Sequence, residues 1–343
     1  MKILTVIGAR PQFIKAAPVS EELKNANIKE VIVNTGQHYD FNLSELFFKQ
    51  LNIPKSRYNL KVGSGSHGFQ TGEMMKKLDS IFEVENPELI LVYGDTNSTL
   101  AGALVAAKKN IPIAHIESGL RSFNRNMPEE INRILTDNVS SLLFCPSKIS
   151  ESNLKKEGIE KNVFVVGDVM YDIFKKFESN VETQNLYGDY CLLTMHRAEN
   201  TNISTLLKRF EQINSIDLDI VFPIHPRTKK LITENSIDLP KNIKIIDPVG
   251  WFEMINLVSN SQFVITDSGG LQKEAFWCKK FCFTLRNETE WIETVEQKAN
   301  VLIKDNSNFV INFDKRSNFS NPYGKGDSSI KVIEAINNYF KIT

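Results

Sequence analysis

The 343-residue sequence has only four cysteines, scattered at Cys145, Cys191, Cys278 and Cys282. That spacing gives no disulfide framework, and the one close pair has no neighbouring histidine to complete a zinc set. No metal site is expected, and the thiols read as reduced and buried. Net charge is also missing, since 41 Lys plus Arg balance 41 Asp plus Glu. The chain therefore lacks the positive field that holds a nucleic acid or an anionic membrane, and an anionic ligand has to be bound by local groups. Long apolar runs are absent too. The strongest, 3–7 and 89–93, are far too short to span a bilayer, and the first has no signal-peptide core. A soluble cytoplasmic protein with neither nucleic acid nor membrane as partner is expected.

What is present is globular: 41% apolar and 24% charged residues, with aromatics along the whole length, exclude disorder. The length suggests two domains. Short apolar runs alternate with longer amphipathic stretches, the rhythm of strand–helix units wound into parallel sheets. Strands are expected over 2–7, 30–34, 58–62, 89–93, 112–116 and 142–145 in the first half. In the second half they are expected over 163–166, 191–195, 219–224, 243–246, 263–266 and 280–284. The segment 167–171 leads into a polar stretch and marks the boundary. Near the end, 317–327 is rich in Ser, Asn, Gly and Pro, and 328–340 resumes a helix with Ile330, Val332, Ile333, Ile336 and Tyr339 on its apolar side. The simplest assembly is α/β, with two Rossmann-like doubly wound domains facing across a cleft. The first is expected over 1–168, the second over 169–320, and a final helical segment over 321–343.

Open parallel sheets bind ligands beyond the carboxyl ends of their strands, where the next helices present amide-rich N-termini. The residues expected there are Gly8-Ala9-Arg10, Gly94-Asp95-Thr96, Glu117-Ser118-Gly119, His196-Arg197, His225-Pro226 and Asp267-Ser268-Gly269-Gly270. Helix capping alone would account for Asp95 or Thr96 and for Asp267 or Ser268. It does not account for two histidines, two arginines and Glu117 on the same edges. Ser268, Gly269 and Gly270 offer a hydroxyl, close backbone approach and a helix N-terminus suited to a pyrophosphate, with Glu274 one turn further on for a sugar diol. Arg10, with Gln12 and Lys15, would meet the same phosphates from the other domain.

The run Gly63-Ser64-Gly65-Ser66-His67-Gly68 fits GxGxxG, but it follows a weak strand well inside the first domain. A dinucleotide fingerprint belongs at the first strand–helix turn, where Gly8-Ala9-Arg10-Pro11-Gln12 lacks the glycine spacing. No cofactor is expected, and His67, read as part of a loop, becomes a candidate to touch substrate. In Met127-Pro128-Glu129-Glu130-Ile131-Asn132-Arg133 the proline opens a helix whose dipole favours the two acids. The sharper reading joins Asp95, Glu117, Glu129 and His196 as acids and bases on one substrate.

In this order, GARPQFIK (8–15), GDTNSTLAG (94–102), HIESGLRS (115–122), MPEEINR (127–133), HRAEN (196–200), TDSGGLQKEA (266–275) and NPYGKGD (321–327) closely resemble the non-hydrolysing UDP-N-acetylglucosamine 2-epimerases over nearly the whole chain. The resemblance implies the glycosyltransferase-B architecture, a homodimer, a cytoplasmic role in surface polysaccharide precursors, a UDP-sugar substrate and a last helix that crosses back to the first domain. It implies catalytic roles for Asp95, Glu117, Glu129 and His196, without assigning which takes the proton. UDP would be held by Arg10, His225, Ser268, Gly269, Gly270 and Glu274, and the sugar by Lys15, His67, Arg133 and Arg286.

Two departures point to a branch. Where the commoner members have an Arg-x-x-Thr-Glu-Arg-Pro stretch, this chain has Arg286-Asn287-Glu288-Thr289-Glu290-Trp291. It resembles the branch acting on UDP-2,3-diacetamido-2,3-dideoxyglucuronate, and a guanidinium at Arg286 would suit a sugar carboxylate. Gly36-Gln37-His38-Tyr39-Asp40 also replaces a Gln-His-Arg segment tied to allosteric activation, which implies that no such activation is needed. The reaction implied is elimination of UDP to a glycal followed by re-addition. Alternatives are UDP-N-acetylglucosamine itself as substrate, a hydrolysing epimerase that releases free sugar, a retaining glycosyltransferase and a catalytically silent nucleotide-sugar sensor.

Overall fold

The computed structural model describes residues 1–37, 55–180, 185–197, 199–304, 311 and 317–341. Two compact units divide the chain, one of Met1–Glu178 with Pro322–Thr343 and one of Ser179–Asn321. The first unit runs β1 (Lys2–Ile7), α1 (Arg10–Asn25), β2 (Lys29–Asn34), β3 (Tyr58–Asn59), α2 (His67–Glu85), β4 (Leu89–Tyr93), α3 (Asn97–Lys108), β5 (Ile113–Ile116), α4 (Pro128–Val139), β6 (Leu142–Cys145), α5 (Lys148–Lys156), β7 (Val163–Val165) and α6 (Val169–Phe177). Its sheet is parallel, in the order β3-β2-β1-β4-β5-β6-β7. The chain reverses direction across the sheet between β1 and β4, which makes the carboxyl ends of these two strands the switch point where ligands bind in such folds.

The second unit runs β8 (Tyr190–Thr194), α7 (Ile203–Ile213), β9 (Asp219–Pro223), α8 (Pro226–Glu234), β10 (Ile243–Ile246), α9 (Trp251–Asn260), β11 (Phe263–Thr266), α10 (Gly269–Trp277), β12 (Phe281–Thr284), α11 (Ile292–Glu296) and β13 (Asn300–Leu302). The order β10-β9-β8-β11-β12-β13 is again all parallel, with its switch point between β8 and β11. The chain then returns to the first unit in α12 (Ser328–Phe340).

The central strands are apolar because helices cover both faces of each sheet. Every residue of β4 and of β8 is buried. Each such Leu, Ile or Val contributes about 1.5–3 kcal/mol when fully withdrawn from water. Helices start where the side chains dictate: Ser66, Thr96, Ser147, Asn202 and Ser268 accept from the amide three residues on, and Pro11, Pro128 and Pro226 occupy first-turn positions whose N–H has no helical partner.

Three expectations need adjustment. The segment α6 falls in the first unit, whereas the boundary was expected after 168. Its Asp172 accepts from Ser328 N (3.0 Å), Ser329 N (2.6 Å) and Ser329 Oγ (2.7 Å), and so caps α12 from within its own unit. On α12, Val332, Ile333 and Ile336 are buried, but Ile330 and Tyr339 are exposed and Ser328, Ser329 and Ala335 take the inward positions. His67 begins α2 rather than lying in a loop, because Ser66 caps that helix. Of the Gly36–Asp40 segment, His38, Tyr39 and Asp40 lie outside the described residues.

Candidate active site

In the first unit the turn after β1 is tied to β4 by one buried side chain. Gln12 Oε1 accepts from Gly8 N (2.8 Å) and Ala9 N (3.0 Å), and its Nε2 donates to Tyr93 O (2.8 Å) and Thr99 Oγ1 (2.9 Å). Gln12 is thus a clamp and not the phosphate ligand expected of it. Arg10 opens α1 at this turn and is half-buried.

Thr96, not Asp95, caps α3, which releases the Asp95 carboxylate for other work. That carboxylate, 30% exposed, takes Arg133 Nη2 at 2.5 Å, while Arg133 Nη1 donates to Glu130 at 2.9 Å. Asn132 holds the Asp95 carbonyl (2.8 Å) and Asn97 Oδ1 (3.2 Å). Asn97 Nδ2 in turn reaches His67 Nδ1 (3.1 Å) and Gln70 (2.7 Å), so His67 joins the network around Asp95. Arg133 is buried and in this arrangement bridges Asp95 and Glu130.

Glu117 follows β5 in a left-handed conformation (φ +70°) and pairs with Lys15, both side chains buried. Lys15 is therefore the partner of a catalytic candidate. Gly94 lies against this pair: a Cβ there would stand 3.2 Å from Lys15 Nζ and 3.3 Å from Glu117 Oε2, and φ is +63°. The backbone reaches this corner because the residue has no side chain. In α4 the two adjacent acids separate. Glu130 is buried and accepts from Ser122 N (2.9 Å) and Phe123 N (2.9 Å), whereas Glu129 is partly exposed, with no hydrogen bond or ion pair among the described residues.

In the second unit Asp267 is fully buried and accepts from His196 N (2.9 Å), Arg197 N (2.9 Å) and Asn200 Nδ2 (3.2 Å), while Ser268 caps α10. One carboxylate thus spans the β8/β11 switch point. It also stands 3.2 Å from Nδ1 of the His196 ring, which is 41% exposed. The His225 ring lies 5.8 Å from His196, centroid to centroid, and its Nδ1 accepts from Arg227 N (3.2 Å), so the ring proton sits on Nε2 as a donor. Gly270 has no atom within 4 Å of where a Cβ would project, whereas a Cβ on Gly269 would come 2.6 Å from Glu290 Oε1. The first turn of α10 is therefore open on one side and packed on the other. Glu274 is buried and accepts from Trp251 Nε1 (2.7 Å). Arg286 is also buried, with Nη2 2.9 Å from Glu290 Oε2.

Residues the sequence reading left without a role complete the first site. His115, Asp137 and Arg121 form a buried hydrogen-bonded cluster behind Gly94. The HIESGLRS stretch holds two of them, but only the fold brings in Asp137.

Two parallel doubly wound units with these sites define a glycosyltransferase-B type protein. The family model for UDP-N-acetylglucosamine 2-epimerase matches residues 21–337. A UDP-N-acetylglucosamine 2-epimerase homolog of Methanococcus maripaludis is 49% identical over 98% of this chain and 100% of its own. A UDP-2,3-diacetamido-2,3-dideoxy-D-glucuronate 2-epimerase of Pseudomonas aeruginosa is 47% identical over 97% of this chain and 99% of its own. The crystal structure of Methanocaldococcus jannaschii UDP-GlcNAc 2-epimerase in complex with UDP-GlcNAc and UDP superposes with a TM-score of 0.92, at 44% identity, covering 98% of this chain and 100% of that one. The chain belongs to the UDP-N-acetylglucosamine 2-epimerase family and is a UDP-sugar 2-epimerase, an isomerase acting on carbohydrate derivatives. Among the described residues no helix is long and apolar enough to cross a membrane.

Proposed function

We propose that the chain inverts C2 of UDP-2,3-diacetamido-2,3-dideoxy-D-glucuronate by elimination and re-addition of UDP. The C2 proton is not next to a carbonyl, so simple deprotonation there is costly. Elimination avoids that cost: a carboxylate takes the C2 proton, the C1–O bond breaks with its electrons going to UDP, and C1=C2 forms. Re-addition returns the UDP oxygen to C1 while a proton enters C2 from the opposite face. Asp95, Glu117 and Glu129 are the proton-transfer groups, with His196 assisting. Arg10, His225, Ser268, Gly269, Gly270 and Glu274 hold UDP, whose departing charge preorganised donors stabilise.

The observation that carries this reading is the corner of the first unit, where Asp95 and Glu117, each paired with a cation, flank Gly94 beyond β4 and β5. An acid held this way keeps its orientation through a proton transfer. The choice of sugar is supported by the Pseudomonas relative and by the run from Arg286 to Trp291. UDP-N-acetylglucosamine is the second reading, supported by relatives so named at similar identity. Offering both nucleotide sugars side by side and following each by proton NMR tests the proposal. The expected result is conversion of the uronate to its manno epimer without release of free sugar. Preferential turnover of UDP-N-acetylglucosamine would select the second reading, and accumulation of UDP plus free sugar a hydrolysing enzyme.

A further inference from the structure

We propose that His115 is a fully buried imidazolium cation whose two N–H groups hold the Gly94–Asp95 corner in place, which makes it a positioning residue for the reaction. Its Nε2 lies 2.8 Å from the Gly94 carbonyl oxygen. A carbonyl only accepts, so Nε2 carries a hydrogen. Its Nδ1 lies 2.7 Å from Asp137 Oδ1, and neither side chain has any exposed surface. The other Asp137 oxygen takes Gly119 N (3.1 Å) and Arg121 Nη1 (2.7 Å), so that carboxyl is surrounded by donors and acts as an anion. Both ring nitrogens therefore donate, and a ring that does so is charged.

The surroundings balance that charge. Arg121, reaching in from the loop after β5, is held on its far side by Glu157 at the end of α5, through Nε–Oε1 and Nη2–Oε2 contacts of 2.7 Å each. Two cations thus meet two anions, and the β6 residue Cys145 stays a neutral thiol, its pKa pushed up to about 12 chiefly by burial. For Asp137 itself burial acts to raise the pKa, but the hydrogen bond and charge of His115, with Arg121, outweigh it and hold the carboxyl below its usual range.

The consequence falls on the corner. Gly94 N donates to Ile116 O (2.9 Å), and His115 fixes the carbonyl of the same residue, so β5 grips both backbone polar groups of the glycine that precedes Asp95. A neutral ring has one N–H. With the hydrogen on Nδ1, a bare nitrogen would face the Gly94 oxygen at 2.8 Å, and with it on Nε2, Asp137 would lose its donor. Either change shifts the corner or breaks the cluster.

The charge state is testable without reference to catalysis, while the positioning role rests on the proposed epimerisation. The full chain labelled with 15N-histidine is examined by long-range 1H–15N correlation, with His115 isolated by replacing the other four histidines, His38, His67, His196 and His225. Both His115 nitrogens are expected to show the shifts of protonated, hydrogen-bonded ring nitrogens. A bare-nitrogen shift on either overturns the proposal even if the enzyme proves to use another substrate. In kinetics His115→Gln is expected to lower kcat about 10²-fold, as a small misplacement of a reacting group does, with KM and UDP affinity unchanged. An unchanged kcat, or an equal loss of UDP affinity, overturns the positioning role. Should that variant fail to fold, the nitrogen shifts still decide the charge.

Discussion

Lys15 inside α1 and Glu117 beyond β5 form an ion pair in which both side chains are buried. Removing one partner of such a pair strands a charge away from water, at a cost of about 3–5 kcal/mol, whereas replacing both by neutral groups is often tolerated. Lys15→Met alone is expected to destabilise the protein by about that amount, and Lys15→Met with Glu117→Gln to recover most of it. Urea unfolding of the single and double variants measures this. Additive losses would show that the two groups do not interact.

Asp267 is expected to matter for UDP binding without touching UDP. Asp267→Ala leaves the half-buried N–H groups of His196 and Arg197 without their acceptor, each at about 1 kcal/mol, and frees the His196 ring. UDP affinity, read by calorimetry, is expected to fall at least about tenfold, the equivalent of about 1.4 kcal/mol. Glu129→Gln, in the proton-transfer set, is expected to leave UDP affinity unchanged while abolishing turnover.

Two buried aspartates give the stability curve opposite slopes. Asp137 has its folded pKa held below 3.8, because its cationic partners outweigh burial. Its contribution is present above the unfolded value and lost as pH falls through the folded one. Asp172 has its folded pKa raised above 3.8 by burial, against the hydrogen bonds of Ser329 and Ser328. Its contribution is complete below the unfolded value and lost as pH rises through the folded one. Urea unfolding across pH is expected to show a flatter acid limb for Asp137→Asn. For Asp172→Asn it is the slope just above about pH 4 that is expected to flatten.

Most strands were legible as short apolar runs: 2–7, 89–93, 142–145, 243–246 and 263–266 match the observed strands, and of these 89–93, 142–145 and 263–266 are buried along their whole length. The short edge strand β13 was not foreseen. It has three residues, and it begins with Asn300, whose polar side chain is buried only because Gln272 and Thr294 partner it. The site was legible as a set of strand-end residues but not as a division of labour. Nothing local separates Glu129 from Glu130, Asp95 from Thr96 or Asp267 from Ser268. Contacts from distant elements decide which member caps, which clamps and which stays available. Lys15, Arg133 and Arg286 have the charge of ligand-binding residues, but their carboxylate partners come from far along the chain or from a turn whose geometry the sequence does not reveal.

The thiols provide a simple check on packing. Cys145, Cys191 and Cys282 are buried, and burial pushes each pKa up to about 12, which leaves almost no thiolate near neutral pH. A thiol reagent is expected to label at most the partly exposed Cys278 in the folded protein and all four on unfolding. Rapid labelling of more than one thiol in the folded state would contradict the burial.

Elimination and return of UDP is the central claim, and turnover in heavy water with the sugar–phosphate bridging oxygen labelled with oxygen-18 tests it most directly. The account predicts deuterium at C2 of the epimer and migration of the label into non-bridging positions of the diphosphate. An epimer that keeps its original C2 hydrogen, with the label still in the bridge, would contradict it.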